Sequence, residues 1–180
     1  RAARAFDATE EQRQAVAQRG TLRADQAIVF EAVAAALDAG GGGIFFVDGP
    51  GGSGKTYLEE ALLHHVRGQG RIASPCAWSG IAATLLTGGK TCHSLFGLPV
   101  PLPTEDVPSN IGAQSGRAAL LRETALFVWD EAPMQHRFHL EALDRTLRDV
   151  MKAVDPALEH VPFGGKVVVL GGDFRQTLPV

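Results

Sequence analysis

The sequence is short of cysteine, of long apolar runs and of basic charge, and each shortage counts against a class of protein. Its 180 residues hold 2 cysteines, Cys76 and Cys92. They give neither a disulfide framework nor a metal-binding pattern, so reduced thiols in an intracellular compartment are expected. No apolar run approaches the length of a membrane-spanning helix. The formal net charge of −3 counts against a nucleic-acid partner, although a few donors in a groove can suffice.

The apolar content that is present fits one domain with a sizeable core, since 45% of the residues are hydrophobic and 21% are charged. Four apolar runs predict buried strands, and they cover residues 44–47, 71–77, 125–129 and 166–170. Helical patterns separate these runs. Strands that alternate with helices predict an α/β fold of three layers, in which helices cover both faces of a parallel sheet.

Three stretches outside the strands carry predictions of their own. Residues 1–20 hold few large apolar side chains and form either a solvated helix or a loose lead-in, ahead of a domain over residues 21–180. Residues 79–86 predict a short helix whose apolar side consists of Ile81, Ala82, Leu85 and Leu86. Residues 98–116 hold prolines at 99, 101, 103 and 108 and predict an extended surface insertion.

A glycine-rich stretch after the first predicted strand carries the strongest chemical signal in the chain. Gly49 and Gly54 bracket four residues and Lys55-Thr56 follow, which completes the spacing G-x-x-x-x-G-K-[ST]. The strand before it and the helix after it disfavour a glycine-rich turn that fits by chance, because backbone N–H groups and a helix N-terminus can then face phosphates. We expect Lys55 to reach the β- and γ-phosphates of ATP and Thr56 to hold Mg²⁺. The predicted nucleotide-binding residues of this loop are Gly49, Pro50, Gly51, Gly52, Ser53, Gly54, Lys55 and Thr56.

An acid pair, Asp130-Glu131, directly follows the third apolar run. In parallel sheets, ligand groups gather at the carboxyl ends of the strands, so we expect the pair to face the phosphate loop. Asp130 is assigned to Mg²⁺, and Glu131 is assigned as the general base that deprotonates the attacking water. The alternative for Glu131 is a local charge at a helix start, since Ala132-Pro133 is typical of a helix N-terminus.

Three further polar residues are candidates, and each has a structural alternative. Gln176, after the last predicted strand, either contacts the γ-phosphate or is a surface amide. Gln26, at the start of the first long helix, either reads the adenine edge or faces solvent. His93 lies among residues that lack zinc-ligand spacing, so hydrogen bonding or packing is the expected role.

Six motifs follow one another along the chain and together resemble those of a known family. They are Leu22-Arg23-Ala24-Asp25-Gln26, Gly49 to Thr56, Ser79-Gly80-Ile81-Ala82-Ala83, Thr91-Cys92-His93-Ser94, Asp130-Glu131-Ala132-Pro133-Met134 and Gly171-Gly172-Asp173-Phe174-Arg175-Gln176-Thr177-Leu178-Pro179. Across residues 21–180 the chain resembles the PIF-one (petite integration frequency) family of superfamily-one DNA helicases. Trp129 before the acid pair, and the ending of the last motif, are most similar to the eukaryotic branch that includes Helitron-transposon helicases.

The resemblance implies an ATP-driven motor that moves 5′ to 3′ on single-stranded DNA and is built from two RecA-like domains. It implies that Gln26 contacts adenine and that Gln176 senses the γ-phosphate. It also implies that Ser79, Thr91 and His93 lie near the DNA. The processes it suggests are DNA repair, recombination or telomere maintenance, in the nucleus or the mitochondrion of a eukaryote.

The family's second RecA-like domain, which supplies an arginine finger, follows the last of these motifs, whereas this chain ends at Val180. The chain is therefore expected to be the first motor domain of a longer helicase or a transposon remnant. Alone it is expected to bind Mg-ATP but neither to unwind DNA nor to hydrolyse ATP appreciably. An arginine supplied from elsewhere raises turnover by about 10³–10⁵ in enzymes with this loop.

Two other functions stay open on the sequence. A small P-loop phosphotransferase needs an arginine-rich lid, and residues 98–116 hold no arginine. A nucleotide-binding module without catalysis fits a truncated chain. Stimulation of ATP hydrolysis by single-stranded DNA would separate the helicase from both.

Overall fold

The computed structural model describes residues 6–98, 111–112 and 114–176. In this part of the chain five parallel strands form one sheet in the order β1-β5-β4-β2-β3. The strands are β1 (Gly43–Asp48), β2 (Ile72–Ala77), β3 (Lys90–Thr91), β4 (Thr124–Asp130) and β5 (Val167–Gly172). The helices are α1 (Ala8–Arg19), α2 (Ala24–Ala39), α3 (Lys55–Gly68), α4 (Gly80–Leu85), α5 (Cys92–Phe96), α6 (Gly116–Glu123) and α7 (Arg137–Met151). Most of the predicted insertion, with its four prolines, residues 177–179 of the last motif and Val180 lie outside the described residues.

The central strands send alternate side chains into two cores, because successive side chains of a strand point to opposite faces of the sheet. On β4, Leu126 and Val128 join a core built with α2 and α3. Phe127 and Trp129 join a second core, built with α5, α6 and α7. Both faces of the sheet are therefore covered by helices, which confirms the predicted α/β fold.

The sheet has one strand more than predicted. The two residues of β3 pair with the end of β2, with Cys76 opposite Lys90 and Ala77 opposite Thr91. No apolar run marks β3, so hydrophobic pattern could not reveal it. Across the described residues, no helix combines the length and the apolar character that crossing a membrane requires.

The lead-in before residue 21 contains a helix, α1, that packs on the domain and is not fully solvated. Glu11 and Ala15 on α1 are buried. The carboxylate of Glu11 lies 2.6 Å from Nδ1 of His64 on α3. Of the two predicted alternatives the helical one is present over residues 8–19, and a polar contact holds it where apolar side chains are few.

The predicted apolar side of α4 is wrong in part. Ile81 is 81% exposed and Leu85 is 61% exposed, whereas Ala82, Ala83 and Leu86 are buried. Ile81 and Leu85 are four residues apart, so they share the outward face of this short helix. Leu86 reaches the core because the backbone leaves the helix there and becomes extended, with φ −101° and ψ 130°.

Candidate nucleotide and DNA site

The phosphate loop connects the end of β1 to the start of α3, as the spacing of its glycines predicts. Gly52 and Gly54 have φ values of 75° and 81°, in the left-handed region that glycine adopts with little strain. The Ser53 N–H donates to the Pro50 carbonyl at 3.1 Å and closes the turn. Helix α3 begins at Lys55, directly after the loop, so the N–H groups of its first turn, which have no partner within the helix, border the loop.

A cavity of about 350 Å³ unites most of the predicted site residues. Loop residues 51–56 form one wall, and Asp130 and Glu131 face them. The rest of the lining consists of Pro133, Met134, Gly172, Asp173 and Gln176. Lys55 extends across the loop, where its Nζ donates to the carbonyls of Gly49 at 2.5 Å and Pro50 at 3.2 Å. These carbonyls hold the ammonium at the mouth of the loop, where phosphate oxygens can replace them as acceptors.

Asp130 is the last residue of β4, and Glu131 follows it in an unusual backbone conformation. Asp130 is 8% exposed, and its Oδ1 accepts the Glu131 N–H at 2.8 Å. Glu131 has a φ of 58°, which few residues other than glycine adopt. Its side chain makes no capping hydrogen bond to the 3-10 turn Ala132–Met134. Instead, Oε2 of Glu131 accepts a hydrogen bond from Ser79 Oγ at 3.1 Å.

The two candidate glutamines lie on different sides of the loop. Gln176 lines the 350 Å³ cavity. Gln26 is buried and lies against the loop instead: its Nε2 donates to the Gly54 carbonyl at 3.1 Å and its Oε1 accepts the Arg23 N–H at 3.0 Å. Gln26 and Arg23 line a neighbouring cavity of about 260 Å³ that also touches Lys55. The solvent-facing alternative for Gln26 therefore does not describe its position.

The three candidate DNA residues lie at the ends of β2 and β3, which are paired in register: Thr91 is the last residue of β3, and Ser79 and His93 lie two residues beyond the ends of β2 and β3. Ser79 caps α4, since its Oγ accepts the Ala82 N–H at 3.1 Å, and Thr91 caps α5, since its Oγ1 accepts the Ser94 N–H at 3.2 Å. The centroid of the His93 ring lies 4.7 Å from that of Trp78. Trp78 is not among the residues that the sequence predicts for the site. Burial lowers the pKa of His93. In the part of the chain that the structure describes, no three His, Cys, Asp or Glu side chains are grouped to hold a metal.

Comparison with known proteins shows which family shares these motifs and this fold. The family model of the PIF1-like helicases matches residues 21–180. The chain belongs to the PIF1-like helicase family. The ATP-dependent DNA helicase Pif1 of Psychrobacter sp. (strain PRwf-1) is 34% identical over 136 residues, which cover 75% of this chain and 20% of that protein. The human ATP-dependent DNA helicase PIF1 is 30% identical over 168 residues, covering 88% of this chain and 22% of that protein. The chain therefore spans about a fifth of the length of these PIF1-like relatives.

Solved Pif1 structures share the fold. A structure that concerns unwinding of forked duplex DNA by two coordinating Pif1 helicases matches with a TM-score of 0.70 and 32% identity, over 88% of this chain and 35% of that one. Pif1 of Bacteroides in complex with ADP-AlF3 and single-stranded DNA matches with a TM-score of 0.65 and 31% identity, over 84% of this chain and 33% of that one. The family expected from the six motifs is confirmed.

Sequence reasoning missed Glu59, a buried carboxyl beneath this PIF1-like site. Its side chain is 0% exposed, and neither of its oxygens has a hydrogen-bond partner among the described residues. Burial, followed by the negative charge of Asp130, raises the pKa of Glu59 to about 8, although Lys55 acts in the opposite sense. Glu59 is therefore mainly uncharged at neutral pH. The sequence signal is that Glu59 precedes Leu62 and Leu63, two buried residues of α3, by three and four positions and so shares their face of the helix. An acid in an amphipathic helix ordinarily faces solvent.

Proposed function

We propose that this chain is the ATP-binding part of a helicase that moves 5′ to 3′ along single-stranded DNA, with Mg-ATP as its substrate. The observation that carries the proposal is the cavity of about 350 Å³, in which the phosphate loop faces the acid pair and Gln176. A phosphate loop alone binds a nucleotide. Opposed carboxylates add groups that can hold a metal ion and activate water, which is what hydrolysis requires.

Four polar side chains in and beside the cavity each take one role in this proposal. Lys55 moves from the loop carbonyls to the β- and γ-phosphates, and the backbone N–H groups of the loop surround them. Glu131 accepts the proton of the attacking water. Gln176 contacts the γ-phosphate and so distinguishes ATP from ADP. Gln26 lies beside the loop and is proposed to read the adenine edge.

The oxygen donors on the two sides of the cavity fit Mg²⁺. Thr56 offers a hydroxyl and Asp130 a carboxylate, and both residues line the cavity. Mg²⁺ prefers hard oxygen ligands and usually takes one or two carboxylates together with substrate phosphates and water. Mg²⁺ held there would neutralise the charge that develops on the transferred phosphoryl group. Thr56 and Asp130 are accordingly proposed as its protein ligands.

Single-stranded DNA is the partner proposed for the surface formed by Ser79, Thr91 and His93. Pif1 of Bacteroides has been solved bound to single-stranded DNA, and it is 32% identical over 82% of this chain. This chain covers 32% of that protein, so we propose that a second RecA-like domain of a longer helicase supplies an arginine that stabilises the transition state. DNA repair, recombination or telomere maintenance, in the nucleus or mitochondrion of a eukaryote, is the proposed setting. The same coverage supports one alternative, a nucleotide-binding module that does not unwind DNA.

Titration calorimetry of the chain with Mg-ATP tests the nucleotide part of the proposal. Lys55→Ala is expected to weaken binding by roughly 10- to 150-fold, since a hydrogen bond to a charged group contributes about 1.5–3 kcal/mol. Lys152→Ala is the matched control. It removes an exposed lysine on the surface that forms ion pairs with Asp149 and Glu159, so this variant should bind Mg-ATP normally. Equal affinities of the wild type and Lys55→Ala would refute the assignment of the loop.

A further inference from the structure

A hydrogen bond connects the proposed DNA surface to the proposed general base. The ends of β2 and β4 lie side by side, with Ala77 opposite Asp130. Two residues beyond Ala77, Ser79 Oγ donates to Oε2 of Glu131 at 3.1 Å. These two side chains are 52 positions apart in the sequence. The contact therefore exists only because the two strands are neighbours in the sheet.

The hydroxyl of Ser79 has two separate hydrogen-bonding functions in this position. Its oxygen accepts the Ala82 N–H and so caps α4, which uses a lone pair and leaves the hydroxyl proton free. The hydroxyl donates this proton in the hydrogen bond to Glu131. A hydroxyl has a single proton to donate, so Ser79 cannot hold Glu131 and donate to a DNA phosphate at the same time.

We propose that Ser79 is a positioning residue that holds the Glu131 carboxylate away from the attacking water until single-stranded DNA binds. A phosphate oxygen of the DNA then accepts the Ser79 proton, and the freed Glu131 carboxylate turns to the water. No proton is transferred in this exchange; one acceptor replaces another. The inference rests on the proposed DNA-dependent hydrolysis of ATP, and it explains how that dependence arises within this chain.

Competition for one proton has a measurable consequence. If Glu131 and DNA compete for Ser79, Glu131 must weaken DNA binding, because coupling between two binding events is reciprocal. Removal of Glu131 should therefore tighten DNA binding only where the Ser79 hydroxyl is present, apart from the general effect of losing one negative charge. A double-mutant cycle separates these two contributions, since the charge effect is the same in both backgrounds.

The experiment measures fluorescence anisotropy of a labelled oligothymidine with the 180-residue chain at low salt, without nucleotide. Glu131→Ala is introduced into the wild type and into Ser79→Ala. We expect the gain in DNA affinity to be about tenfold larger in the wild-type background, which corresponds to a coupling of about 1.4 kcal/mol. Ser79→Thr keeps a hydroxyl and should restore the coupling.

Two further variants exclude a structural explanation. Ser115 caps α6 as Ser79 caps α4, since its Oγ accepts the Ala118 N–H, so Ser115→Ala loses a comparable cap and should leave the effect of Glu131→Ala unchanged. Ser79→Gly removes the hydroxyl but keeps a residue that caps helices almost as well. It replaces Ser79→Ala in the cycle if that variant does not fold.

The outcomes distinguish this inference from the function on which it rests. Equal gains from Glu131→Ala in both backgrounds, with DNA bound by every variant, would overturn the role of Ser79 and leave the helicase proposal standing. Failure of the wild-type chain to bind the oligonucleotide at low salt would overturn the proposed DNA surface, and the inference with it.

Discussion

Glu59→Gln is expected to stabilise the metal-free chain, and to do so increasingly as the pH rises. The folded-state pKa of Glu59 is about 8, against an ordinary value of 4.5. Below about pH 4.5 Glu59 is protonated in both the folded and the unfolded states, so its contribution to the free energy of unfolding does not change with pH. Between about pH 4.5 and about pH 8 the unfolded state loses the proton that the folded state keeps. Over this range Glu59 therefore lowers the free energy of unfolding of the wild type by about 1.4 kcal/mol for each pH unit. Glutamine has nearly the same size and stays uncharged throughout, so the variant lacks this loss.

Urea unfolding in EDTA at about pH 5.5, 6.5 and 7.5 measures the effect, because the free energy of unfolding extrapolates linearly from denaturant. The stability advantage of Glu59→Gln should grow by about 1.4 kcal/mol per pH unit across this series. The slope is the decisive quantity, since a buried amide without a partner changes stability equally at every pH. Glu141→Gln, which removes an exposed acid on α7, should run parallel to the wild type. A Glu59→Gln series that also runs parallel would refute the burial of Glu59 as a neutral carboxyl.

Two substitutions at the ends of β4 and β5 test the same region. Gly171→Ala should destabilise the fold by about 1–3 kcal/mol, because the new Cβ would collide with Oε1 of Glu59. Urea unfolding should show a smaller loss of stability when the same substitution is made in a Glu59→Ala background. Equal losses in the two backgrounds would contradict the collision. Glu131→Gln, placed in a longer helicase that contains this chain, should keep Mg-ATP binding and lower kcat by about 10²–10⁴. Turnover unchanged by this substitution would reduce Glu131 to a charge at the start of a turn.

The strands and the loop could be predicted because their signals are local. Exposing a run of apolar residues such as 125–129 to water is unfavourable, and a run this short is typical of a buried strand. The glycines of the phosphate loop are similarly informative, since Gly52 and Gly54 adopt backbone angles that other residues avoid. Each of these signals lies within about ten consecutive residues, so no knowledge of the tertiary structure is needed to interpret it.

The features that could not be predicted depend on contacts between distant parts of the chain. The burial of Glu59 depends on the absence of a side chain at Gly171. The prediction of the buried side of α4 is wrong in part because two apolar residues, Ile81 and Leu85, are exposed to solvent. The bond between Ser79 and Glu131 depends on the register of β2 against β4. Periodicity identifies an apolar side but does not say which side the neighbouring strands will cover.

The strand order explains why the last motif is needed to build the cavity. Because β5 lies between β1 and β4, the phosphate loop and the acid pair do not follow adjacent strands, and they must approach each other over the end of β5. Gly171 and Gly172 end that strand, and a Cβ at Gly172 would collide with Pro133 in the turn after the acid pair. The carbonyl of Gly172 also accepts the N–H of Gly49 at 3.1 Å, which fixes the start of the phosphate loop. The two glycines therefore act by leaving space, which lets the groups proposed to bind and hydrolyse ATP line one cavity.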